Sequence, residues 1–232
     1  MWIKRIAVTG LLVVAAMMVA RPAHAGDTRA DALKRASDAM TVLKQIEMAP
    51  DRAIPRDLLR HAQAIVVVPN VIKAGLIFGG RFGRGLVSIR TADGTWSNPV
   101  FVTLTGGSVG FQAGVSATDV VLVFRTRHGV DSLLRGKFTL GVDAAAAAGP
   151  VGRNANVSTG THFKAEIYSY SRSRGLFAGV ALDGSVLRID YDADAAVYGP
   201  DITPRRIFEG GVRNVPTPLV DFRDRLEEYT AL

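Results

Sequence analysis

Residues 73–85 read Lys-Ala-Gly-Leu-Ile-Phe-Gly-Gly-Arg-Phe-Gly-Arg-Gly, with five glycines and three cations in thirteen positions. Glycine accepts backbone conformations closed to other residues and lets a ligand or a neighbouring strand come close. The stretch therefore fits a phosphate cradle, a lipid-facing surface or a tightly bent sheet. Gly75 and Gly80 have the spacing of a phosphate-binding P-loop, which needs Lys and then Ser or Thr next. Arg81-Phe82 follows instead, with no helix pattern behind it. Gly80, Gly83 and Gly85 carry the dinucleotide spacing in reverse, which has no mechanism. Both nucleotide readings fall, and a glycine-punctuated sheet remains.

The flanking sequence agrees. Ala64-Ile-Val-Val-Val68 reads as a buried strand, stopped by Pro69-Asn70. Short β-branched or aromatic runs follow at 85–90, 100–105, 119–125, 165–170, 175–181 and 186–190. Ala92-Asp-Gly-Thr95 and Leu182-Asp-Gly-Ser185 are hairpin-type turns. Helical spacing appears at both ends. Leu33, Ala36, Met40, Leu43 and Ile46 form one stripe before Pro50 and Pro55, and residues 56–63 form a second short helix. Leu219, Phe222, Leu226 and Tyr229 form another stripe behind Thr217 as N-cap and Pro218. Residues 129–134 suit a short crossing helix. Residues 143–148, an alanine run, are helical by local preference, with a packed turn as the alternative. The predicted fold class is α+β: a glycine-rich, mostly antiparallel β core, sandwich or barrel-like, covered by N- and C-terminal helices.

The first residues point to export. Lys4 and Arg5 precede an uncharged apolar run from Ile6 to Ala20, and Ala23-His-Ala25 offers a small-x-small cleavage site. We expect a signal peptide over 1–25 and a single domain over 26–232, an exported, periplasmic protein peripheral to a membrane if it meets one. Lys4, Arg5 and Arg21 account for three of the formal +7 charges, so the mature chain is only mildly basic, below a nucleic-acid binder's usual density. Cysteine is absent, which removes disulfides, thiol nucleophiles and a lipoprotein anchor.

Three further motifs admit a functional reading. Gly106-Gly-Ser-Val-Gly110 matches a nucleophile elbow, which would make Ser108 an esterase nucleophile, but the helix that should follow is replaced by more strand. Asp190, Asp192 and Asp194 alternate like a calcium loop with Asp201 in twelfth place, yet the glycine position holds Ala195; a solvated strand end explains them better. His61, His128 and His162 have no metal-ligand spacing, and Trp96 reads as a packing anchor. We expect no cofactor, no nucleotide, no nucleic acid, and no enzymatic activity.

The cations are more informative. Lys73, Arg81 and Arg84 sit among the glycines, and Arg172 and Arg174 flank another strand start. Gathered on one face, each would be worth about 1 kcal/mol against an anionic membrane.

The ordered set Ala62-Gln-Ala-Ile-Val-Val-Val-Pro69, Lys73-Ala-Gly75, Gly83-Arg-Gly85, Trp96-Ser-Asn-Pro99, Gly107-Ser-Val-Gly-Phe-Gln-Ala-Gly114, Tyr170-Ser-Arg-Ser-Arg-Gly-Leu-Phe-Ala-Gly179 and Tyr198-Gly199 resembles the SYLF domain family, over roughly residues 35–232. That resemblance implies a non-catalytic lipid-binding module. Eukaryotic members bind phosphoinositides and some bind actin; bacterial members are exported. For an exported chain the implied partner is an anionic phospholipid such as phosphatidylglycerol or cardiolipin. With the clustering of cations among glycines, the expected contacts are Lys73, Arg81 and Arg84, helped by Arg172 and Arg174. An envelope structural or protein-interaction module without lipid affinity is the alternative. The opening helix balances Arg29, Lys34, Arg35 and Lys44 against Asp27, Asp31, Asp38 and Glu47, so it is expected to pack on the sheet rather than act as a basic arm.

Overall fold

The computed structural model describes residues 28–48, 54–75, 78–109, 114–151, 165–173 and 176–231. In chain order the elements are α1 (Arg29–Glu47), α2 (Arg56–Arg60), β1 (Ala64–Gly75), β2 (Phe78–Ile89), β3 (Val100–Val109), β4 (Gly114–Phe124), α3 (Arg127–Leu134), β5 (Lys137–Thr139), β6 (Ala146–Ala148), β7 (Ile167–Ser173), β8 (Leu176–Gly179), β9 (Val186–Ile189), α4 (Tyr191–Tyr198), α5 (Pro204–Phe208) and α6 (Thr217–Ala231). The strands form one sheet in the order β5-β9-β3-β2-β1-β4-β7-β6, with β8 also on β7. All pairings are antiparallel except β6 with β7.

This order forces the sheet to curl. Laid flat, the eight strands of that path would span about 34 Å at the usual strand spacing. The two edge strands, β5 and β6, are joined by residues 140–145 alone, whose reach is at most about 25 Å. Contacts across the interior show the roll. Phe124 of β4 and Phe138 of β5 lie far apart in the strand order, yet their rings are 5.7 Å apart.

Each face of the sheet is therefore buried, which is why Ala64 to Val68 is apolar without alternation. Inside the roll, Ala64, Val66 and Val68 meet Val102, Leu122, Phe138 and Leu187, with Val130 and Leu133 of α3. Outside it, Ile65, Val67, Leu86 and Phe101 carry Ala36, Leu43 and Ile46 of α1 and Leu219, Phe222 and Leu226 of α6. Both predicted terminal helices thus pack on the sheet. Trp96 anchors α6: its indole N–H donates to Thr230 Oγ1 at 2.8 Å and its backbone N–H to Glu227.

The structure differs from the sequence reading at four places. Pro69-Asn70 does not stop β1 but forms a bulge. Two residues there oppose the single Asp119 of β4. Proline has no N–H to lose, Asn70 takes a left-handed conformation (φ 51°), and its N–H donates to Asp119 Oδ1 at 3.0 Å. The other Asp119 oxygen receives Arg172 at 2.9 Å. The alanine run ends in an edge strand, β6, rather than a helix, because pairing with β7 overrides local preference. Leu182-Asp-Gly-Ser185 is a tight turn, Gly184 at φ 74°, but it joins β8 and β9, which have different neighbours, so it closes no hairpin. Asp190, Asp192 and Asp194 form neither a solvated strand end nor a calcium loop. Asp190 caps α4 by accepting the Ala193 N–H, and Asp194, inside that helix, accepts the Phe101 N–H at 2.9 Å. Among the described residues no three His, Asp or Glu side chains gather as a metal site.

Two of the glycines in the opening stretch are explained by the bulge. A Cβ on Gly85 would stand 2.1 Å from the Val67 carbonyl oxygen, and one on Gly83 2.7 Å from the side chains of Val68 and Val71. The backbone of β1 occupies the space a side chain would need. Gly107, by contrast, faces open space. Gly85→Ala should lower stability by about 3 kcal/mol in urea denaturation, whereas Gly107→Ala should stay within about 0.5 kcal/mol. Equal losses would contradict this packing.

Asp119→Ala should cost about 2 kcal/mol, because it leaves the mostly buried Arg172 guanidinium without its acid; Asp119→Asn, which keeps an acceptor there, should cost less. Desolvation, with a smaller push from Asp190, raises the Asp194 carboxyl to about 8 against the opposing pull of the Phe101 N–H. A raised acid favours the folded state while protonated. That contribution is complete below the ordinary aspartate value and is lost as pH climbs through about 8. Melting temperatures between pH 4 and 9 should therefore fall more steeply for the wild type than for Asp194→Asn, which stays neutral throughout.

Candidate functional site

The bulge also decides which way the cations point. Before it, odd-numbered residues of β1 (Ile65, Val67) face the helices; after it, Val71 faces the interior. Lys73 keeps the parity of Val71 and so lies on the inner side. It pairs in register with Arg81 of β2. Ile72 pairs in register with Phe82 on the outer side, where the two are 50% and 46% exposed. Val115 of β4, beside Ala74, joins them at 78% exposed. Ile72 and Phe82 line a small recess between the β1–β2 pair and α1.

Directly opposed like charges destabilise a sheet. Lys73 and Arg81 nevertheless face each other, and neither has an ion-pair partner among the described residues. The Arg81 Nε is buried with no hydrogen-bond partner there, and partial burial holds its guanidinium below the usual arginine value. Such a donor pair without an acceptor is the arrangement an anionic oxygen cluster would complete.

The other predicted contacts are placed differently. Arg84 shares the outer side with Phe82, its guanidinium 5.8 Å from that ring. It lines the same recess of about 240 Å³ against α1 with Lys34, Arg35, Asp31 and Asp38. Arg172 is also on the outer side, neutralised by Asp119 and 5.9 Å from the Phe177 ring. Arg174 lies outside the described residues, as do His162 and the 1–25 segment. The four described cations therefore divide: Lys73 and Arg81 together, Arg84 and Arg172 on the opposite surface. The exposed apolar trio Ile72, Phe82 and Val115 was missed in the sequence. Its signal is an apolar residue next to a cation in each strand, Ile72-Lys73 and Arg81-Phe82, readable only once the one-residue bulge is known.

Ser108 stands within β3, opposite Gly79, in an unbroken ladder with β2. The strand–turn–helix geometry of a nucleophile elbow is not formed there. His128 and His61 each lie beside an acid, Glu166 at 3.2 Å and Asp57 at 3.4 Å. Among the described residues no helix is long and apolar enough to cross a membrane.

A family described as "Ysc84: Las17-binding protein actin regulator" matches residues 105–229. An SH3 domain-containing protein of Schizosaccharomyces pombe is 42% identical over 168 residues, covering 71% of this chain and 39% of the relative. LAS seventeen-binding protein 3 of Saccharomyces cerevisiae is 37% identical over 184 residues, 78% of this chain and 39% of the relative. The human SH3 domain-containing YSC84-like protein 1 is 33% identical over 182 residues, 78% of this chain and 53% of the relative. The chain thus spans between two fifths and about half of these relatives.

Proposed function

The chain belongs to the Ysc84 (SYLF) family, and from that premise we propose that it binds anionic phospholipid, without catalysis, at the surface of a bacterial cell envelope. The carrying observation is the distal end of the β1–β2 pair. There a cross-strand Lys73–Arg81 pair without acidic partners among the described residues backs a cross-strand Ile72–Phe82 pair that is half exposed. A bilayer approached end-on meets both. The cations engage phosphate oxygens while the apolar side chains, with Val115, enter the headgroup boundary. Arg84 and Arg172 flank this end, and their nearby acids make them the weaker contributors. The export pattern over residues 1–25 supports an envelope location, in which phosphatidylglycerol or cardiolipin supplies the anion.

The names of the relatives carry a second reading. They are described by binding Las17 or by SH3 domains, which speaks for protein partners. The same exposed apolar trio would then dock an envelope protein.

Vesicle co-sedimentation separates the two. Binding to phosphatidylglycerol vesicles should exceed binding to neutral phosphatidylcholine vesicles at low salt and fade as salt rises. Lys73→Gln with Arg81→Gln should weaken it about thirtyfold, given about 1 kcal/mol per cation. Ile72→Ser with Phe82→Ser should weaken it further even in salt. Equal partition onto both vesicle types would reject the lipid reading and leave the protein-partner one.

A further inference from the structure

At the opposite pole of the sheet, where β2 ends and the Trp96 loop meets α5 and α6, lies a cleft of about 800 Å³. Its apolar lining comes from Ile89, Trp96, Leu134 and Phe208. Its cations come from three separate helices: Arg127 of α3, Arg205 of α5 and Arg223 of α6. Size and make-up are those of small-ligand sites, mostly apolar with a few convergent polar groups.

Among the described residues, two of the cleft's three guanidinia are left without an acid of their own. Arg127 and Arg205 are exposed and have no ion-pair partner among the described residues. Arg223 is held in place: its Nη1 donates to Asn98 Oδ1 at 3.2 Å, and Asp224 accepts from its Nε and Nη2. Of the two acids lining the cleft, Asp93 is engaged within its own turn. It accepts the Thr95 N–H and the Thr95 hydroxyl, as well as that of Thr91, and these bonds hold its carboxyl below the usual range. Glu209 is the other. Two guanidinia thus face solvent above an apolar floor with a third fixed beside them. Trp96 cannot turn its polar atoms to the cleft, because both of its N–H groups are already given to α6.

We propose that this cleft is a second ligand site, for a single-chain organic carboxylate: an anionic head held by Arg127 and Arg205, and an apolar body laid against Ile89, Leu134 and the edge of Phe208, next to the buried Trp96. The guanidinium fork matches a carboxylate in two parallel hydrogen bonds, which a compact ammonium would not. The site stands apart from the Lys73–Arg81 end and does not depend on it. Its ligand is a soluble amphiphile taken one molecule at a time, rather than a bilayer.

Trp2 and Trp96 are the only tryptophans, so the full chain carrying Trp2→Phe reports on this cleft through Trp96 emission. Titration with decanoate below its micellar concentration should change that emission saturably, whereas acetate, with no apolar body, and decanol, with no charge, should not. Arg127→Gln with Arg205→Gln should raise the decanoate dissociation constant at least tenfold while leaving vesicle binding intact. Both residues are exposed, so circular dichroism should be unchanged. Lys73→Gln with Arg81→Gln should do the reverse. Decanoate binding that is unaffected by the Arg127/Arg205 pair, or matched by acetate or decanol, would overturn the site, whatever the vesicle result. Absence of saturable decanoate binding would overturn it as well.

Discussion

One carboxylate organises the distal half of the sheet. Asp119 accepts the Asn70 N–H with one oxygen and the Arg172 guanidinium with the other. The first bond supports a left-handed Asn70 in a strand that proline has already deprived of a donor. The second prevents the carboxylate from being buried without compensation. Together they fix a bulge in the central strand of an otherwise continuous ladder, and a bulge in a strand exchanges its two faces.

That exchange gives the distal end its chemistry. Without the extra residue, Lys73 would follow Ile65 and Val67 toward α1, and Ile72 would point into the roll. With it, Lys73 meets Arg81 inside and Ile72 meets Phe82 outside. The hairpin end then carries the exposed Ile72–Phe82 pair on one surface and the Lys73–Arg81 pair on the other. The same shift brings the β1 backbone against β2, which is why Gly83 and Gly85 have no room for a side chain. A glycine-rich run that resembles a ligand cradle in the sequence is here largely a packing requirement.

The curl of the sheet has a separate cause. Its two edges are neighbours in sequence, so the strands must bend back until β5 and β6 stand within a short connection of each other. Curling encloses one apolar face and leaves the other for α1 and α6, so the same central strands are buried from both directions. It also carries α3, α5 and α6 to one pole, where arginines from positions 127, 205 and 223 come to line a common cleft.

By itself the sequence determined the fold class and most element types, because helical and strand periodicities follow from local geometry: the α1 and α6 stripes, the apolar β1 run and the Ala92–Thr95 turn are each written in consecutive residues. It also carried the ordered motifs of the family. Contacts between distant strands decided the rest. Whether Pro69-Asn70 ends a strand or bulges it depends on Asp119, some fifty positions away, and whether residues 146–148 form helix or strand depends on β7. Which cations converge followed from that single register shift, since a displacement of one residue sends every later side chain to the other surface, and no local pattern encodes the partner that enforces it.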